Sequence, residues 1–220
     1  MSERWVHRRL ELGDPYWPAQ LAIALIIAVQ LTLTDQVSVG PRWLAPVAET
    51  VLLIVLVWVT PARATKHTPG RRELALGVIG LVSVINVISL VLLVNYLVAG
   101  GNAGGEALIL SGTKLLLTNV LLFAVWFWEL DRGGPVVRFN DSSALPDFLF
   151  PQMDDPQFAP EGWRPGFGDY LYTSLTNATA FSPTDTMPLT HMAKAIMAIE
   201  SVTSLATIGL VLARAVNILG

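Results

Sequence analysis

The chain has 220 residues, no cysteine, and a net charge of −3 from 14 basic and 17 acidic side chains. Hydrophobic residues make up 53% and charged residues 14%, against about 25% charged in an ordinary soluble domain, and mean hydropathy is +0.55. These values exclude a disordered chain, a disulfide-framed secreted domain and a typical soluble enzyme. They offer no basic field for nucleic acid and no thiolate for catalysis or metal binding. The composition is that of an integral membrane protein.

A spanning helix needs about 20 mostly apolar residues. Five segments approach that. The first runs from about Trp17 to Thr34, with Pro18 at its start. The second, about Leu44 to Val59, is short, carries Glu49 and stops at Thr60-Pro61. The third runs from Leu74 to Val98 with Asn86 and Asn95; the fourth runs from Ala107 to Trp128 with Lys114 and Asn119. The fifth runs from about Met192 to Leu219 with Glu200 and Arg214. Arg8 and Arg9 precede the first segment, but no small-residue cleavage site follows before Asp35, so that segment reads as a retained helix. Tryptophans near the predicted boundaries (Trp5, Trp17, Trp43, Trp58, Trp126, Trp128 and Trp163) read as interface anchors.

The stretch after the fourth segment differs in character. Between Glu129 and Asp185 lie nine acids and only three arginines, Arg132, Arg138 and Arg164. Gly133-Gly134-Pro135 is a strong helix stop. Prolines and the aromatics Phe139, Phe148, Phe150, Phe158 and Trp163 punctuate the residues beyond it. The expectation is an ordered loop on the membrane surface with its aromatics dipping into the interface. The chain thus divides into a four-helix region (1–128), an acidic Pro- and aromatic-rich loop (129–165) and a C-terminal unit (166–220).

With five crossings, the N-terminus, the 61–73 loop and the acidic loop share one side. The first two carry Arg4, Arg8, Arg9, Arg63, Lys66, Arg71 and Arg72, against Arg42 and Arg214 on the other side. The positive-inside rule puts that side in the cytoplasm.

Residues 169–181 are amphipathic and about a dozen long. As a helix they are too short to cross, but suit a re-entrant half-helix. A polar turn follows, Ser182-Pro183-Thr184-Asp185-Thr186, and then the long last helix. Half-helix, turn and full helix is the layout of a pore loop, whose non-helical backbone must be buried in protein or line water.

On these residues the stretch resembles the pore helix, filter and inner helix of the tetrameric potassium-channel superfamily. Tyr172 and Ser174-Leu175 match the pore helix, Thr179 the first threonine of the double-threonine, Asp185 the aspartate after the filter, and Pro188 the following proline. Ala193-Lys194-Ala195, Glu200 and Ala213-Arg214 continue the match along the last helix. The chain also resembles a family of bacterial membrane proteins carrying the string seen here from Thr176 to Pro188, which brings no established function with it. The first resemblance implies a homotetrameric, multi-pass cation pore of the bacterial inner membrane, with the filter on Ala180, Phe181, Ser182, Pro183 and Thr184. The filter departs from the family: both glycines are missing and Pro183 fixes φ near −65°. Selectivity would then come from the side chains of Ser182, Thr184, Asp185 and Thr186, and a ring of carboxylates would favour cations over potassium-type discrimination. The resemblance implies a cytoplasmic end for the last helix, whereas the charge count puts the pore loop itself on the cytoplasmic side. Either the module is inverted, as in glutamate-receptor channels, or the charge rule gives way, or the helices are miscounted.

Individual residues allow two readings. Asp185 suits a pore mouth, and equally a turn or helix N-cap. Glu200, a charge inside a span, suits a pore vestibule or proton carrier, and equally a pair with Lys114. Ser201, Thr203, Ser204 and Thr207 could line water or let helices pack closely. Asn86 and Asn95 fall on opposite helix faces, and buried asparagines tend to join helices. His7, His67 and His191 are scattered, with no metal-ligand spacing. No cofactor-binding or catalytic motif occurs, so no enzyme is expected. The fold class is all-α integral membrane, five transmembrane helices plus one re-entrant pore helix. The expected function is a channel-like pore for monovalent cations, in contact with membrane lipid. The alternative is a non-conducting scaffold that binds a partner through its acidic loop.

Overall fold

A computed structural model describes residues 13–33, 41, 43–65, 68–98, 105–155, 157, 159, 162–180 and 185–219. The chain is mostly helical. Helix α1 is Trp17–Gln30, α2 Leu44–Val59, α3 Arg71–Val98 and α4 Gly105–Leu130. A 3-10 turn at Asp131–Gly133 leads into the short helix α5, Pro135–Asn140. Strand β1, Phe148–Leu149, and helix α6, Pro151–Asp154, follow. Helix α7 is Phe167–Ala180, strand β2 Met187–Pro188, and helix α8 His191–Leu219.

Three helices are long and apolar enough to cross a membrane, over Arg71–Tyr96, Ile109–Gly133 and His191–Ala213. The other two expected segments form shorter apolar helices, the first ending before the expected Thr34 and the second over the expected Leu44–Val59. Helix α1 has 14 residues and α2 has 16, giving about 21 and 24 Å of rise against a hydrocarbon core of about 30 Å. Helix α1 stops early because Leu31–Leu33 tighten into a turn, with the Thr32 and Leu33 N–H groups donating to Val29 O and Gln30 O at 3.0 Å. Helix α2 stops at Thr60, whose ψ of 125° is the extended conformation that Pro61 demands.

Helix α4 is the hub, in contact with α1, α3, α7 and α8. Residues 120–125 of α4 are all buried. One tight approach is set by Gly112, where a Cβ would overlap the Val211 side chain of α8. Asn86 on α3 is buried while Asn95 is exposed, as their spacing requires. The α1, α2 and α8 surfaces expose a belt of large apolar side chains, including Trp17, Val51, Ile54, Trp58, Val202 and Leu205.

The three regions of the sequence share one core, running from Tyr16 through Phe127 and Trp128 to Phe148, Phe150, Tyr170 and Met197. The expected outward-pointing aromatics of the acidic loop are therefore corrected at Phe148 and Phe150; Phe158 lies outside the described residues. Phe148 and Phe150 turn inward and meet the Tyr170 ring edge-on at 6.3 and 5.3 Å, and Trp163 packs on Phe150. Burying them among rings inside the protein removes more apolar surface from water than an interface can. Trp128 is likewise fully buried rather than an anchor, whereas Trp17, Trp43 and Trp58 are exposed as anchors should be.

Candidate functional site

The loops that five crossings place on one side do meet. Pro15 pairs with Arg63, Arg71 binds Glu129, and the Asn140 amide donates to Thr65 O at 3.3 Å. At the centre of this end sits Asp131, fully buried. Its Oδ2 accepts from the Tyr170 hydroxyl at 2.5 Å, and its Oδ1 from the backbone N–H of Asp147 at 2.8 Å. Arg138, also buried, lies 3.9 Å from Asp131 and 3.5 Å from Asp14 and donates to Trp128 O and Asp131 O at 3.1 Å. Its guanidinium stands over the Tyr170 ring at 5.1 Å. Burial works against its charge, but the groups facing it (Tyr170, Asp14, Asp131 and Glu129) more than offset that and raise its pKa. Arg71 binds Glu129 with both terminal nitrogens and covers the Tyr16 ring at 4.1 Å.

This network fixes both ends of the C-terminal unit. Tyr170 ties the first turn of α7 to Asp131. Helix α7 then runs antiparallel to α4, so that the Ser174 hydroxyl reaches Val120 O at 2.8 Å. Beyond Ala180 the chain comes back. Thr186 lies beside Thr173 at 3.2 Å, and β2 pairs antiparallel with β1, Phe148 opposite Pro188. Leu189 N–H donates to Asp147 O at 2.8 Å and the Thr190 hydroxyl to Asp147 Oδ1 at 2.7 Å. The segment from Phe167 to Thr190 thus begins and ends at the same end of α4. Helix α7 has 14 residues, about 21 Å of rise.

Inside the bundle the partners are hydroxyls, amides and backbone carbonyls. Glu200 on α8 is fully buried. It accepts from the Ser174 hydroxyl and from the Asn177 amide, the latter at 2.7 Å. Asn177 also donates to Met197 O at 2.9 Å and accepts from Ser201. Further along α8, Asn119 of α4 donates to Thr203 at 3.1 Å and to Ser204 at 2.9 Å, and accepts from Asn86 of α3 at 3.4 Å. The polar row on α8 therefore packs against α4 and α7. Glu200 does not pair with Lys114: the ammonium donates to Thr32 O at 2.7 Å instead. Lys114 lies nearer the far end of α4, where its flexible stem can lift the charge out of the apolar layer. At that same end Gln30 of α1 donates to Glu49 of α2 at 3.2 Å.

Among the expected pore residues, Thr179, Ala180 and Asp185 are exposed on this single chain. Phe181, Ser182, Pro183 and Thr184 lie outside the described residues. Asp185 is not the N-cap of α8; Thr190 is, accepting from Ala193 N–H at 3.2 Å. Among the described residues no three acids or histidines come together as a metal would need. The anchoring set of Asp131, Arg138, Asp147 and Tyr170 is not evident from the sequence. Its one signal there is that Arg138 and Asp147 lie between the helix stop at Gly133-Gly134-Pro135 and the aromatics Phe148 and Phe150, with Asp131 just before the stop.

Compared with known proteins, the chain matches no family model, no curated protein and no solved structure. None of the three comparisons indicates a relationship to the potassium-channel superfamily.

Proposed function

We propose that the chain is a multi-pass protein of the bacterial inner membrane whose α7 is a re-entrant pore helix, and that copies of it assemble around this helix to pass cations. In this reading α1 and α2 complete five crossings, with the bilayer thinning or Trp17, Trp43 and Trp58 anchoring to accommodate their length. The observation that carries the reading is the return of the chain: α7 enters beside Asp131 and β2 leaves beside Phe148, at the same end of α4. A 14-residue helix that returns to its own side positions a turn part-way across a bilayer. The faces of α7 and α8 not used inside the chain carry Tyr172, Leu175, Thr179 and Val202, available to other copies. Asp185, at the exit of the turn, supplies the carboxylate that a cation path would use.

The alternative, a scaffold docking through the acidic loop, is less supported by the loop's own geometry. Glu129, Asp131 and Asp147 are spent on contacts within the chain.

The test combines assembly with flux. Single cysteines at Ser182 and Asp185 in this cysteine-free chain should cross-link between copies under oxidation in native membranes, and Ala22→Cys should not. Cation flux into proteoliposomes should fall on Asp185→Ala. Absence of cross-links at both positions would remove a central pore.

A further inference from the structure

We infer that the cleft between the start of α3 and the Gly133–Val137 turn is a binding site for a phosphate-class oxyanion, built around Arg72. The cleft is bordered by Thr68, Arg71, Arg72 and Gly134. The two arginines are in different situations. Arg71 gives both terminal nitrogens to Glu129, while its Nε, on a side chain only 7% exposed, has no hydrogen-bond partner. Arg72 makes no ion pair among the described residues, and its Nε is buried without a partner as well. A buried guanidinium N–H without an acceptor is costly; Arg132 and Arg138 also carry such groups, whereas those of Arg71 and Arg72 belong to residues that border a cleft with room for an acceptor.

Gly134 holds the space for it. Its φ is +105°, a conformation for glycine, and a Cβ there would stand 3.4 Å from Arg72 Nε and 3.1 Å from Glu129 O. Any side chain would thus fill the gap beside the guanidinium. Glu129 cancels Arg71, which leaves one net positive charge on a planar fork of donors. That fork matches a phosphate's oxygens two at a time. The cleft lies at the end of the helices, where α3 begins, the level at which a lipid headgroup would meet a spanning helix. The ligand chemistry is a phosphate monoester or diester, from a lipid headgroup or a free anion. The inference does not depend on the pore reading.

The experiment uses the full chain in nanodiscs of phosphatidylcholine doped with phosphatidylglycerol, read by native mass spectrometry, with inorganic phosphate in a parallel thermal-shift series. Arg72→Gln removes the unpaired fork and leaves the Arg71–Glu129 pair intact; Arg72→Lys keeps the charge without the fork. Lys194→Gln removes an exposed charge near the same end of the bundle. Retention of phosphatidylglycerol over phosphatidylcholine should drop about fivefold in Arg72→Gln, less in Arg72→Lys, and not in Lys194→Gln. Stabilisation by inorganic phosphate, lost in Arg72→Gln but without phosphatidylglycerol preference, would support the site with a free anion as its ligand. Equal losses in Arg72→Gln and Lys194→Gln, or no loss in either readout, would overturn it.

Discussion

The two ends of α7 are held by opposite kinds of chemistry. At its start, Asp131, Arg138 and Asp14 form a charged cluster in which each formal charge faces an opposite one, and Asp131 also accepts from Tyr170 and from backbone N–H groups. Deeper along α4, Glu200 has no cation, only the hydroxyl of Ser174 and the amide of Asn177. The difference follows from position along the helices. At the end of the bundle, charges can be assembled in opposite pairs at tolerable desolvation cost. Deep between helices an ion is expensive, and hydrogen bonds from small neutral groups hold helices together with less at stake. The charged cluster sets where α7 begins and where the chain returns; the neutral layer sets how α7 lies against α4 and α8.

The largest effect that comparison predicts is at the charged cluster. Asp131→Ala leaves Arg138 short of a buried acid and takes the acceptor from Tyr170 and from the Asp147 N–H. The expected cost is about 3–5 kcal/mol, read from denaturant titration in micelles. The double variant Asp131→Ala/Arg138→Met should recover a good part of that. A cost below about 1 kcal/mol for the single variant would put the cluster in the class of surface pairs and break the contrast.

The neutral layer should respond less and differently. Glu200→Leu strands Ser174 and Asn177 and should cost about 1–3 kcal/mol. Glu200→Gln keeps an acceptor for Asn177 and should change stability by less than about 1 kcal/mol. A large stabilisation by Glu200→Gln in the same titration would mean that this layer carries an uncompensated charge, and the two ends of α7 would no longer differ in kind.

The smallest effect concerns Tyr16, at the edge of the charged end. Burial is the main cause that lifts its phenol from the ordinary value near 10 to about 12. The neutral phenol is the form the fold favours. Its contribution is therefore complete below pH 10 and is lost as pH rises towards about 12. Its hydroxyl has no hydrogen-bond partner among the described residues. Tyr16→Phe should be neutral or slightly stabilising at pH 7 and should reduce the alkaline loss between pH 10 and 12, read as the difference between the two proteins' melting curves.

Much of this arrangement is legible in the chain. Runs of apolar residues locate every long helix, because lipid and core alike demand them. The alternation of helices along the chain groups the loops that meet around Asp131 and Arg71. The general tendency of buried asparagines to join helices holds for Asn86 and Asn119, whose partnership only the structure shows, and the dozen residues before Ser182 announce a half-length helix. Two things are not legible. A string of acids among prolines reads as solvated surface, and nothing local says that Asp131 will be covered by Phe148 and Tyr170 from 17 and 39 residues away. Pairing Glu200 with Lys114 relies on charge alone, whereas the depth of each residue along its helix decides their separate partners.

The measurement that most directly tests the return of α7 is the sidedness of single cysteines, labelled with a membrane-impermeant maleimide in oriented vesicles. Ser143→Cys lies before α7 and Leu189→Cys after it, both at exposed positions, with Thr32→Cys at the opposite end of the bundle. The account predicts that Ser143→Cys and Leu189→Cys react from the same side and Thr32→Cys from the other. Labelling of Ser143→Cys and Leu189→Cys from opposite sides would mean that α7 crosses, and would contradict the re-entrant helix.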